Sequence, residues 1–288
     1  MIEVKHLEKV FQKKQVLKDV NFNIPSGECT ALIGKNGAGK STLIDILIGD
    51  LERNRGTIRD PQHLLEKEHL GILFQTSQFP KVMKVKELYH LYAKIVKNPC
   101  SLKQFQEITL FTEKQLNQFA NQLSGGQQRI LAFALAIIGR PKLLIMDEPT
   151  SAMDVEMRTH FWNVIERLKQ QGTTIFYTSH YIEEVERMAD RIIVLDKGVI
   201  TIETTPQDLK QTQRYSVISV PKSWAKHITQ LQSVKSIQQD KLLHITTDNV
   251  ETTLKELAGY GVDFNDIEIT KSSLLETIFN EDKEEEYV

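Results

Sequence analysis

Gly34-Lys35-Asn36-Gly37-Ala38-Gly39-Lys40-Ser41 is the stretch that decides the fold. It has the phosphate-loop spacing, a glycine, four residues, then Gly-Lys-Ser, and Thr42 follows. Upstream, Cys29 to Ile33 is a short apolar run, suited to a strand buried on both faces. Downstream, Leu43, Ile44, Leu47 and Ile48 recur at helical spacing. Strand, glycine loop, helix is the context this motif requires. Its glycines let the backbone curl with N–H groups facing inward, and the helix start adds a positive dipole end. Residues Gly34, Asn36, Gly37, Ala38, Gly39, Lys40, Ser41 and Thr42 are therefore the expected nucleotide cradle. Within it, Lys40 charges the phosphates and Ser41 offers a hydroxyl to Mg²⁺.

Outward from the loop, Glu3 to Val10 and Val16 to Ile24 alternate apolar with polar residues, as half-buried strands do. Val82 to Phe119 is mostly helical, with a break at Pro99. Ser124 to Ile138 reads as a helix with a glycine-rich start. Leu143 to Met146 is a buried strand ending at Asp147, with Glu148 next in sequence. Helix Arg158–Lys169, strand Thr173–Thr178, helix Ile182–Met188 and a hairpin from Arg191 to Ile202 follow. Strands alternating with helices predict an α/β fold with a mainly parallel sheet. Asp147 is placed to hold Mg²⁺ through water. Glu148 points the opposite way if the strand persists, where it can act as general base on the attacking water.

The composition excludes several classes. The 288 residues carry 36 Lys and Arg against 38 Asp and Glu, a net charge of −2, so no overall field favours nucleic acid. Cys29 and Cys100 give no metal spacing or disulfide framework, and reduced thiols are expected. The N-terminal residues lack the apolar core of a signal peptide. The longest wholly apolar run, Ile130 to Ile138, is far short of the roughly 18 residues a membrane helix needs. Any membrane part must come from another chain.

Leu123-Ser124-Gly125-Gly126-Gln127 then narrows the class. This segment, after a phosphate loop and before an Asp-Glu strand end, resembles the signature of the ATP-binding cassette (ABC) family. The resemblance covers roughly residues 1–210. It implies a P-loop NTPase cassette: a RecA-like parallel core, an antiparallel β subdomain and a helical signature subdomain. It implies ATP and Mg²⁺ as ligands and an ATPase activity. Catalysis would fall to Glu148, His180, Gln75 and Lys40, and the metal to Ser41, Gln75 and Asp147. Phe11 sits where family members stack an aromatic ring on adenine. Ser124, Gly125, Gly126 and Gln127 would cap the ATP of a second cassette, in a homodimer or heterodimer that meets head to tail. Ser151-Ala152-Met153-Asp154 resembles the family's D-loop, with Asp154 crossing that interface.

A boundary is expected near Pro206 to Gln213, where the chain turns polar and unpatterned. Beyond it a βαββαβα-like order predicts a small α+β accessory domain over 213–283, with 284–288 an acidic tail. Ser272 to Phe279 is similar to an ending found in bacterial export cassettes. The expected function is the ATPase subunit of an ABC transporter, peripheral on the cytoplasmic face of the membrane. It would drive a separate transmembrane permease, exporting a drug, peptide or lipid. The competing reading is an ABC-type ATPase acting on ribosomes or nucleic acid, but such chains usually carry paired cassettes, long inserts or zinc modules. Phe79, Val82, Met83 and Val85 are the apolar positions expected to dock the membrane subunit.

Overall fold

The computed structural model of the chain describes residues 1–271 except 13, 180, 212–215, 226–230, 232–233, 235 and 240. The chain divides into two compact units, Met1–Pro206 and Gln207–Val288.

The first unit is built on a six-stranded sheet of order β5-β6-β7-β3-β8-β9. Its strands are β3 (Cys29–Ile33), β5 (Leu70–Leu73), β6 (Leu143–Asp147), β7 (Thr174–Ser179), β8 (Arg191–Asp196) and β9 (Val199–Thr204). All neighbours are parallel except the β8–β9 hairpin. Every residue of β3, β6 and β7 is buried, as expected of central strands covered on both faces. Edge strand β9 instead alternates exposed and half-buried residues.

A second sheet has the order β2-β1-β4 and is antiparallel: β1 (Ile2–Phe11), β2 (Lys14–Ile24) and β4 (Arg55–Arg59). Strand β4 went unmarked in the sequence because its run Arg-Gly-Thr-Ile-Arg has a single large apolar residue. The inward residues of β1 and β2, among them Val4, Leu7, Val20 and Phe22, share one core with Leu32, Leu43, Phe176 and Ile193. Phe22 stacks on Phe176 with centroids 5.9 Å apart.

Helix α1 (Lys40–Leu47) follows the phosphate loop. The expected helical middle resolves into α2 (Val85–Ile95), α3 (Leu102–Thr109) and α4 (Glu113–Leu116). Ser101 and Thr112 start the last two by accepting hydrogen bonds from the Gln104 and Gln115 N–H groups. Val85, expected at a docking surface, is instead fully buried, because it opens α2 on its inner face. Val82 is 79% exposed. Helices α5 (Gly125–Ala136) and α6 (Val155–Gln170) pack through Phe133 and Phe161, 4.6 Å apart edge to face. A shorter helix, α7 (Ile182–Met188), follows β7. Among the described residues no helix is long and apolar enough to cross a membrane.

Helix α8 (Pro206–Gln211) spans the division between units. The second unit is a four-stranded antiparallel sheet, order β11-β12-β10-β13, with β10 (Ser216–Pro221), β11 (Ser236–Gln239), β12 (Leu242–Thr247) and β13 (Glu268–Lys271). Helix α9 (Val250–Gly259) follows β12. Ile218, Val220, Leu243, Ile245, Leu257 and Val262 form this unit's own core. Residues 226–230 of the helix expected over Trp224–Leu231, the whole helix expected over Leu274–Phe279, the export-type ending and the acidic tail lie outside the described residues.

Candidate nucleotide site

The loop leaves β3 at Ile33 and enters α1 at Lys40. Gly39, the residue before the helix, has φ +111°, and a Cβ there would stand 2.8 Å from Leu17 Cδ2. Only glycine takes that backbone while packed against β2. Lys40, 7% exposed, turns its ammonium into the loop and donates to the carbonyls of Gly34 at 2.6 Å and Lys35 at 3.1 Å. Burial lowers its pKa, while the Glu148 and Asp147 carboxylates oppose that shift. A buried cation faced by two carboxylates thus marks the floor of the site.

Strand β6 brings Asp147 to the same place. Ser41 Oγ donates to Asp147 Oδ2 at 2.9 Å, and Thr178 donates its hydroxyl to Asp147 Oδ1. A hydroxyl oxygen and a carboxylate oxygen this close form the hard donor pair that Mg²⁺ favours, so these residues fit that ion. Glu148 is placed by another route than the one expected. The strand does not persist past Asp147; Glu148 has φ +46°, a left-handed turn that re-aims the side chain. Its N–H donates to Thr178 Oγ1 at 3.0 Å.

Gln75 follows β5 and is exposed, and its backbone carbonyl accepts from Arg129 Nη1 at 3.2 Å. Phe11 ends β1 at 43% exposure, with Lys9 Nζ 5.0 Å from its ring centroid. His180 lies outside the described residues. Its neighbours are fixed: Ser179 Oγ donates to the Glu184 carboxylate and accepts from the Tyr181 N–H at 3.0 Å.

The signature residues pack elsewhere, as a helix start against the loop after Glu148. Ser124 caps α5, accepting from the Gln127 N–H at 3.3 Å while its own N–H donates to Gln127 Oε1 at 3.0 Å. A Cβ on Gly126 would stand 2.9 Å from the Ala152 carbonyl oxygen, and one on Gly125 would stand 3.6 Å from Ala152 Cβ. Asp154 accepts from the Met157 N–H at 2.8 Å and so caps α6.

Three contributors escaped the sequence reading. Arg129 reads there as the charged flank of an apolar helix, yet it is buried and bonded to backbone on both sides of the site. Thr178 reads as one more strand residue. Glu184 sits in a charged helix start but is 1% exposed. For Arg129 and Thr178 the signal available was a charge or hydroxyl at the end of an apolar run; Glu184 carried none.

A phosphate loop meeting an Asp-Glu strand end, with a capped glycine-rich helix beside it, defines a P-loop nucleotide-hydrolysing domain. The ABC transporter family profile matches residues 17–151. The linearmycin resistance ATP-binding protein LnrL of Bacillus subtilis is 30% identical over 223 residues, covering 73% of this chain and 70% of that protein. The Nod factor export ATP-binding protein I of Rhizobium etli is 32% identical over 222 residues, covering 72% and 69%. The solved ATP-binding subunit of an ABC transporter superposes with a TM-score of 0.64 at 27% identity, over 73% of this chain and 92% of that one. This chain belongs to the ATP-binding proteins of ABC transporters and is an ATPase.

Proposed function

We propose that this chain hydrolyses ATP as one of two cassettes that close around two nucleotides and so drive a separate membrane subunit in export. The observation that carries the reading is the meeting of Ser41 and Asp147 at 2.9 Å beside the buried Lys40 ammonium. Lys40 and the loop N–H groups, with Asn36, Ala38 and Thr42 alongside, hold the β- and γ-phosphates, and Phe11 offers its ring to the base. Ser41, the Gln75 side chain and, through water, Asp147 would hold Mg²⁺, which would neutralise phosphate charge. Glu148 takes the proton of the attacking water, and His180 contacts the γ-phosphate.

Ser124, Gly125, Gly126 and Gln127 form the start of a twelve-residue helix, whose N–H groups suit an anion. We assign that end to the partner cassette's γ-phosphate, which makes closure a twofold event. Export is favoured by the relatives named for resistance and for Nod factor export. Residues 213–283 form an accessory domain, and the chain sits peripherally on the cytoplasmic face through the permease. Val82 is the exposed apolar position best suited to that contact.

The test is Glu148→Gln with Ser124→Arg as its complement. Glu148→Gln is expected to bind ATP and run as a dimer on gel filtration, with turnover reduced at least 100-fold. Adding Ser124→Arg is expected to return it to a monomer that still binds ATP. Near-normal hydrolysis by Glu148→Gln, or dimers unaffected by Ser124→Arg, would defeat the reading.

A further inference from the structure

Glu148 combines the assigned chemistry with an unusual backbone. At φ +46° it sits in a region that side-chain-bearing residues enter only when their surroundings over-determine it. Two residues supply that determination. Thr178, on neighbouring strand β7, accepts from the Glu148 N–H at 3.0 Å and donates to the Asp147 carboxylate. Arg129, on α5 and 4% exposed, takes the carbonyls on the other side.

Each Arg129 nitrogen donates to backbone, and Nη1 also reaches one serine hydroxyl. Nε donates to the Pro149 carbonyl at 2.9 Å. Nη2 donates to the carbonyls of Asp147 at 2.6 Å and Glu148 at 2.9 Å. Nη1 donates to the carbonyls of Phe74 and, at 3.2 Å, Gln75, with Ser77 Oγ at 3.5 Å. A guanidinium has five N–H donors, and five carbonyls receive them here. Among the described residues Arg129 forms no ion pair, so its bonds go to fixing backbone instead of neutralising a carboxylate. Burial pulls its pKa down to about 10, against the nearby Asp147, Glu148 and Glu184 carboxylates, so it stays charged at neutral pH.

We propose that Arg129 and Thr178 are positioning residues for the general base. They hold Glu148 in its left-handed turn, and Arg129 ties that turn to the loop bearing Gln75. The signature helix therefore carries, besides its exposed N-terminus, the anchor for its own subunit's catalytic turn. A lysine cannot substitute, because three donors on one nitrogen cannot span the two chain segments, 74–77 and 147–149, that the planar fork bridges. This inference rests on the reading of Glu148 as base.

The test uses the full chain and separates positioning from folding. Thr178→Val keeps the shape and removes the hydroxyl; it is expected to lower kcat about 10-fold with KM for ATP changed less than about threefold. Arg129→Lys is expected to lower kcat about 100-fold with the same KM pattern, the scale of a roughly 1 Å misplacement. Both changes are then repeated on Glu148→Gln under single-turnover conditions. Because their main effect runs through Glu148, each should lower the residual rate far less than it lowers the native one, the remainder belonging to their contacts with Asp147 and the Gln75 loop. A Thr178→Val chain with normal kcat, or equal losses with and without Glu148, would overturn the proposal even if Arg129→Lys fails to fold. A Glu148→Gln chain with normal turnover removes the base assignment instead, and the proposal with it.

Discussion

Glu184, 1% exposed, places a carboxyl beneath the end of β7, where the Ser179 hydroxyl donates to it. Burial pushes its pKa up to about 7 from 4.5, against that hydrogen bond and the pull of Arg158 and Arg129. A raised pKa means that the folded chain prefers the proton. The stabilisation from that proton is fully present below about pH 4.5 and is lost as pH rises through about 7. The ionised form costs about 3 kcal/mol on this reckoning. Glu184→Gln, which cannot ionise, is therefore expected to gain stability over the native chain between pH 5 and 8. Denaturant midpoints measure this, and a difference independent of pH would refute it. Nothing in Ile-Glu-Glu-Val-Glu-Arg-Met distinguishes this carboxylate from Glu183 or Glu186. Its burial comes from the placement of α7 against β7, which no local pattern encodes.

Helix starts show how the site's parts are assembled. Asp154 accepts from the Met157 N–H at 2.8 Å and fixes where α6 begins. Asp154→Ala is expected to cost about 1 kcal/mol of stability in the nucleotide-free single chain, read as a lowered denaturant midpoint. An unchanged midpoint would mean that the cap contributes nothing. The sequence marked Ser124 as the start of a helix, and the structure begins α5 at Gly125. It placed the buried strands β3, β6 and β7 well because parallel strands covered on both faces are continuous apolar runs. It missed the 55–59 strand, which is polar on one side and defined only by pairing with β1. It ended β6 at Asp147, as the structure does, and left the aim of Glu148 to whether the strand persisted. The left-handed turn there is imposed by Thr178 and Arg129, which come from other elements.

At the scale of the whole molecule, each unit has a core of its own among the described residues, and two cooperative transitions are expected. One core joins both sheets of residues 1–206, and the other lies within the second unit. Nucleotide contacts only residues of the first unit in the proposed site. Mg-ATP at about 100 times its Kd is expected to stabilise that unit by about 2.7 kcal/mol and leave the other transition in place. Calorimetry with and without nucleotide checks this; a single transition that shifts as a whole would contradict it.

The sequence by itself determined the phosphate loop, the buried strands, the family and most of the residues assigned to the chemistry. Those signals are local: close glycines, apolar runs and a fixed spacing between motifs. Only the tertiary structure decided how Glu148 is aimed, that Arg129 bonds five backbone carbonyls, and that Glu184 is buried. Each depends on contacts between segments from 18 to 55 positions apart or on the packing of one element against another, as with Arg129 on Asp147 and on Phe74. Such contacts arise only when the chain has closed on itself.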